Sequence, residues 1–372
     1  VSTDVSKEVI IIGAGVVGCA TAYFLALEGI GVTVVDPNGI AAAASGRNNG
    51  LIEHPYDAET AGLYEETVEL LSDVLGAGFP SEPAGTLLLT HDERTARELR
   101  QHYAQFPSLR PQALNADQAR EAEPLLAEGL CGCMLHTGYP IMPVEATTAF
   151  ADLARAAGAD FVLGEPLALV REGEQVRGVS WSGTQHLTDA VLVCAGAGTA
   201  QVVDGLVDPS IITPLWGVIV SIELPRRPRH PLIEGALAIA QGGGEIKLQA
   251  PFTLLDSPSW LAVGSTMLEG AEPDRERWAP TLLERGREFV PSLAQAEVKD
   301  VLACARPRSF DNRPILGLVP GQEHLWIAAG HGGRGMSIGP ASARLVADAI
   351  VAGDGASLPS PLSASRLRDQ RF

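Results

Sequence analysis

Short unbroken apolar runs alternate along this chain with longer stretches in which apolar positions recur at helical spacing, the mixture expected of an α/β protein. Val9 to Ile12 reads as a buried parallel strand, Gly13 to Gly18 as a turn, and Val17 to Glu28 as a helix stopped at Gly29. Val32 to Val35 supplies a second strand and closes a βαβ unit at Asp36. Residues Ala41 to Gly50 are small, polar and glycine-bearing and cannot supply much core, so they read as a loop or helix entry near a ligand. Leu63 to Leu75 resumes helical spacing.

Gly85 to Leu89 is strand-like, and Asp92 to Gln105 and Ala116 to Glu123 read as helices of a second unit. Val144 to Ala157 is helical, Phe161 to Leu163 and Leu167 to Val170 are strands, and the buried strand Ala190 to Cys194 returns to the first unit. Ile211 to Ile222, Leu237 to Ala240, Ile246 to Gln249 and Leu261 to Val263 suggest an antiparallel sheet, with a helix over Thr281 to Phe289. Leu325 to Ala329 is a last strand, Gly330 to Gly335 a glycine-rich turn, and Ala341 to Val351 a closing helix. The expected partition is a discontinuous cofactor domain of residues 1–80, 140–208 and 304–372, and a substrate domain of 81–139 and 209–303.

The chain has 372 residues, enough for one large or two interleaved domains able to enclose a cofactor. A formal net charge of -18 sets the average surface against nucleic acid and anionic lipid. Five scattered cysteines argue for reduced thiols, and Cys131 and Cys133 lack the companion pair of a zinc site, so no metal is expected. The apolar run at Val9 is too short for a membrane span or a signal peptide, which points to a cytoplasmic protein.

Gly13, Gly15 and Gly18 form G-x-G-x-x-G between a strand and a helix, where backbone amides and the helix dipole hold a pyrophosphate. Asp36 ends the next strand, where a carboxylate accepts ribose hydroxyls and repels a 2'-phosphate. Strand, turn, helix, strand and acid in register specify a dinucleotide site but leave FAD and NAD both open.

Four further segments separate them. Ala44, Ser45, Gly46, Arg47, Asn48, Asn49 and Gly50, then Ala195, Gly196 and Ala197, then Arg306 to Asp311, and finally Gly330 to Gly335 together resemble the D-amino-acid oxidase superfamily over nearly the whole chain. Its glycine oxidase, sarcosine oxidase and D-amino-acid dehydrogenase members are the most similar. The resemblance implies a glutathione-reductase-like Rossmann FAD domain beside an antiparallel-sheet substrate domain. It sets the Ser45 to Asn48 stretch along the FAD pyrophosphate, Leu167 and Ala195 against the adenosine, and Gly332, Gly333, Arg334, Gly335 and Met336 near the flavin pyrimidine ring. With the first turn, Ala14, Val16, Val17 and Pro37 join this cofactor set.

Arg306 falls where such enzymes fork an arginine onto a substrate carboxylate, and also touches the cofactor set. Arg334 falls where sarcosine oxidase has a carboxylate-binding lysine, and Glu53 replaces the arginine that precedes its histidine. His54 and His331 are candidates for polarising a substrate or tuning the flavin, and Tyr139 and Trp216 for walling the site. The expected reaction is oxidation of a small amine or amino acid by hydride transfer to flavin N5, with hydrolysis of the resulting imine. Oxygen or another acceptor then reoxidises the flavin, and the oligomeric state stays open. A 2-hydroxy-acid dehydrogenase with His54 as base, and a flavin-binding subunit of a larger complex, are the rival readings. Cys304 aligns with a flavin-linked cysteine of sarcosine oxidase, but the Arg306-Pro307 pair follows glycine oxidase, so non-covalent FAD is expected.

Overall fold

The computed structural model describes residues 7–237, 249–258 and 260–370. One sheet has six strands in the order Ile315–Leu318, Leu325–Ala329, Ala190–Val193, Glu8–Ile12, Gly31–Asp36 and Asp160–Leu163. Neighbours are parallel except at the Ile315–Leu318 edge. Period-two alternation sorts the residues of the first strand between two cores. Val9 and Ile11 pack with the helices Val16–Leu27, Pro143–Ala156 and Gly335–Ala352, while Ile10 and Ile12 pack with Val176 and Val179. The latter two belong to a three-stranded antiparallel ribbon, Leu167–Glu172, Gln175–Trp181 and Thr184–Leu187, which covers the opposite face.

Gly13 has φ +114°, and a Cβ on it would lie 2.4 Å from the Cys194 carbonyl oxygen. A Cβ on Gly18 would lie 2.0 Å from the Gly13 oxygen. Only glycine lets the turn, the helix and the Ala190–Val193 strand come this close, so these two residues serve packing as much as any ligand.

The second sheet has nine strands and is mostly antiparallel, although Leu232–Glu234 runs parallel to Thr86–Thr90. Its longest pair joins Ile212–Glu223 to Glu297–Ser309, with Gly217 opposite Cys304 and Leu215 opposite Arg306. Helix Arg275–Arg287 packs Leu282 into the same core as Val218, Val220, Phe252 and Val263. A two-stranded ribbon of Leu51–Ile52 and Tyr139–Pro140 stands apart from both sheets.

The α/β class expected from the apolar pattern is observed, but several elements differ. The closing helix begins at Gly335, not Ala341, because Gly335, Gly339 and Pro340 read as turn residues although Met336 and Ile338 are buried in its first turn. Glu297–Ser309 is one continuous strand running through position 304, and its mix of charged and apolar residues hid it. The Cys131–Leu135 strand was also unread. Leu237 is helical and not in a strand, and residues 238–248, which hold most of the two expected strands, lie outside the described residues. All five cysteines are free thiols. Among the described residues no helix is long and apolar enough to cross a membrane.

Candidate active site

A cavity of about 2040 Å³ runs from the Asp36 turn to the face of the nine-stranded sheet. At the first end it is lined by Gly13, Gly15, Val16, Val17, Asp36 and Pro37, with Ala44, Ser45, Arg47, Asn48 and Asn49 across from them. The Ser45 hydroxyl accepts the Val16 N–H at 3.0 Å and so ties this loop to the helix N-terminus. Asp36 accepts from Ala14 N at 2.8 Å, and from Asn38 N and Gly39 N, which fixes its carboxylate at the rim of the turn. Leu167, Ala195 and Gly196 line the same end. Ala14, Gly18, Gly46 and Gly50 do not line the cavity. A Cβ on Gly46 would meet the Ala41 oxygen at 2.1 Å and one on Gly50 the Ile141 oxygen at 2.5 Å, so both glycines shape the loop from behind.

The other end is built from side chains. Arg306, Trp216, Cys304, His331, Gly332, Gly333, Arg334, Gly335, Met336 and Glu53 all line it. Arg306 is the centre of this group. Its Nη1 donates to the Thr266 carbonyl at 2.9 Å and its Nη2 to the Ser265 hydroxyl at 3.0 Å, and among the described residues no carboxylate pairs with it. Burial pushes its proton affinity down, with the Cys304 sulfur opposing that effect. The guanidinium lies over Gly217, where a Cβ would come within 2.4 Å of it. A glycine inside an otherwise apolar strand often marks such a close approach, so Gly217 was a readable signal that went unused. Ser265 and Thr266 carried no signal of their own.

Trp216 is held by its indole N–H on the Gly270 carbonyl at 3.0 Å. His331 is buried, its Nε2 has no hydrogen-bond partner, and burial lowers its pKa to about 4, so it stands neutral. Burial lifts the Glu53 carboxyl to about 7, although the Tyr56 hydroxyl, donating at 2.6 Å, and the Arg334 charge both pull it down. Burial raises the Cys304 thiol against the pull of Arg306 and Arg47, which disfavours the thiolate.

Two expected residues stand elsewhere. His54 does not line the cavity: its Nδ1 accepts the Tyr56 N–H at 2.9 Å, and its ring packs on Phe106 and Tyr64. Burial, aided by the Arg334 charge, lowers its pKa to about 4, so the ring stands neutral away from the cavity wall. Tyr139 also misses the cavity lining and stacks on Phe79 in the small ribbon.

The family model for FAD dependent oxidoreductases, DAO, matches residues 8–349. The chain belongs to this family. Glycine oxidase of Pseudomonas aeruginosa is 28% identical over 367 residues, covering 92% of this chain and 94% of the relative. The sarcosine oxidase subunit beta of Arthrobacter sp is 26% identical, covering 97% and 91%. Among solved structures, L-proline dehydrogenase from P. horikoshii superposes with a TM-score of 0.83 at 21% identity over 99% of both chains. Glycine oxidase from Geobacillus kaustophilus superposes with 0.81 at 22% identity, over 97% of this chain and 99% of that one. At such identity the superpositions speak for the fold.

As a member of the family the chain is an oxidoreductase with FAD as its cofactor. The cavity fits that cofactor. The helix N-terminus at Gly15 opens onto the cavity and favours a diphosphate, and the Asn49 Oδ1 atom is buried without a partner on a residue of the cavity wall.

Proposed function

We propose that this flavoenzyme oxidises a small amine or amino acid that carries a carboxylate. The observation that carries the reading is Arg306: a half-buried guanidinium, bonded only to neutral oxygens and a thioether, on the wall of a cavity continuous with the dinucleotide turn. A buried charge without a counter-ion is costly, and a planar fork suits a carboxylate ligand best. Glycine oxidase and sarcosine oxidase among the relatives support the amine class.

When bound, FAD supplies the two-electron acceptor for a substrate C–H bond. The chain's own residues orient the substrate. Arg306 binds the carboxylate, Gly333 packs under the arginine's methylene stem, and Trp216 closes one side. The neutral His331 has a free ring nitrogen for a hydrogen bond to cofactor or substrate. The glycine turn, the 44–49 loop, Leu167, Ala195, Gly196 and the 332–336 segment are the proposed FAD contacts. Segments 1–80, 140–208 and 304–372 are the proposed cofactor domain, and 81–139 and 209–303 the substrate domain.

The test is an absorption spectrum of the purified protein before and after anaerobic addition of amines, amino acids and 2-hydroxy acids. We expect a yellow protein that amines or amino acids bleach and hydroxy acids do not. The FAD is proposed to be non-covalent, so acid precipitation leaves the colour in the supernatant. Bleaching by hydroxy acids alone would reject the amine reading.

A further inference from the structure

Glu53 is a second buried charge at the substrate end of the cavity, and carboxylate binding by Arg306 gives it no task. Its backbone N–H is fixed on the Ser337 hydroxyl at 3.0 Å, and the Tyr56 hydroxyl donates to Oε1 at 2.6 Å. Among the described residues no cation forms an ion pair with this carboxylate, and its one side-chain hydrogen bond is the one that Oε1 accepts from Tyr56. A carboxylate fixed at one oxygen, on the wall of a substrate cavity, is placed to receive a proton.

The proposed reaction needs such an acceptor. An alkylamine titrates at about 10, so near neutrality its nitrogen carries a proton and has no lone pair to assist loss of hydride from the adjacent carbon. Four other groups on the cavity wall are poorly suited, and Glu272 and Asp204 stand exposed at its rim. Asp36 lies at the dinucleotide end and is occupied by three backbone N–H groups, and Glu269 is paired with Arg308 at 2.7 Å. His331 takes a proton only near pH 4, and burial keeps the Cys304 thiol protonated.

Resting on the amine reading above, we infer that Glu53, oriented by Tyr56, takes the proton from the substrate's ammonium nitrogen before the neighbouring C–H bond is oxidised. One N–H bond breaks and one O–H bond forms on Glu53. The bonding pair stays on nitrogen as its lone pair, and no electron leaves the substrate in this step. Glu53 is thereby also a specificity residue, favouring substrates with a cationic nitrogen over those with a hydroxyl. The facing groups leave it free to titrate alone near neutrality. Tyr56, Tyr64 and Tyr103 are driven upward by burial and stay protonated, His54 stays neutral, and Arg334, on which Asp57 acts, stays charged. Burial sets the Glu53 carboxyl near 7, so its base form grows in as pH rises through that value.

The experiment follows anaerobic flavin reduction in the FAD-loaded enzyme from pH 6 to 10, in wild type, E53Q and Y56F, with the best amine substrate of the panel. Acetate, titrated by its effect on the flavin spectrum, reports the carboxylate site independently of turnover. Wild type is expected to rise to a plateau with a midpoint near 7. E53Q should be about a hundredfold slower at pH 7.5 and climb about tenfold per pH unit toward the amine's own pKa, with acetate affinity unchanged. Y56F loses a bond that favours the charged carboxylate, so its midpoint should move upward. A wild-type profile in E53Q overturns the inference. So does an E53Q enzyme equally slow at every pH that still binds acetate, since that marks a structural role. If E53Q does not retain FAD, an unmoved midpoint in Y56F overturns it. Wild-type flavin that no amine reduces rejects the amine reading itself, an outcome separate from these.

Discussion

At the Asp36 end the cavity wall is organised around one glycine turn and the loop tied to it by Ser45, whereas at the Arg306 end charged and aromatic side chains from several distant strands meet. Gly13, Gly15 and Ser45 form the first wall through glycine contacts and one hydroxyl cap. Arg306 is delivered by the Glu297–Ser309 strand, fixed by Ser265 and Thr266, and given room by Gly217 on the paired strand. On the proposed assignment, the cofactor meets a wall that tolerates little change, and the substrate meets charges whose partners can be exchanged one at a time.

The contrast breaks down if the two ends do not respond separately to substitution. The largest effect is expected at Arg306. Removing a charge-assisted fork costs about 1.5–3 kcal/mol, so R306A should raise KM for a carboxylate substrate by up to about a hundredfold, and R306K by roughly tenfold, with FAD affinity little changed. Steady-state kinetics and a flavin titration measure both quantities. Equal, small effects from the two variants would show that Arg306 is not the carboxylate site.

An intermediate effect is expected at Asp36. D36A removes a buried-edge acceptor and should weaken FAD by about 1–3 kcal/mol while leaving KM of the reloaded enzyme unchanged. Part of that cost falls on the turn, because the same carboxylate accepts the N–H groups of Ala14, Asn38 and Gly39. A D36A enzyme with normal FAD affinity and raised KM would invert the assignment of the two ends.

The smallest and sharpest test is G217A. The added methyl would lie 2.4 Å from the Arg306 guanidinium, so the arginine must shift from the Ser265 and Thr266 acceptors. We expect KM to rise by roughly tenfold or less, in the direction of R306A, since the charge stays but its aim is lost. An unchanged KM would show that the arginine's observed position is not needed for binding.

Much of the dinucleotide end was legible because its requirements are local. A glycine at φ +114°, a helix opening three residues later and an acid at the end of the next strand are all set by short-range sterics, and they leave a fixed spacing in the chain. The helix Val16–Leu27 and the strands Glu8–Ile12 and Gly31–Asp36 fall within a residue or so of the apolar pattern. The ribbon strands Gln175–Trp181 and Thr184–Leu187 were missed, since polar residues and Gly178 break the apolar run of the first and the second is mostly exposed.

His54 and Glu53 show what the chain alone could not decide. They are adjacent in sequence and both titratable, and spacing offers no reason to prefer either. The tertiary structure turns the His54 ring onto Phe106 and Tyr64 and occupies its Nδ1, while it sets Glu53 on the cavity wall with one side-chain hydrogen bond, from Tyr56. The sequence by itself determined the βαβ unit, its phosphate-binding turn and the residue types at the site, because those depend on backbone conformations reached within a few residues. Which side chains meet in the cavity, and with what protonation, was decided only by the folded chain. That outcome depends on desolvation and on partners up to 284 positions apart, such as Ser337 for Glu53, and no local pattern encodes either.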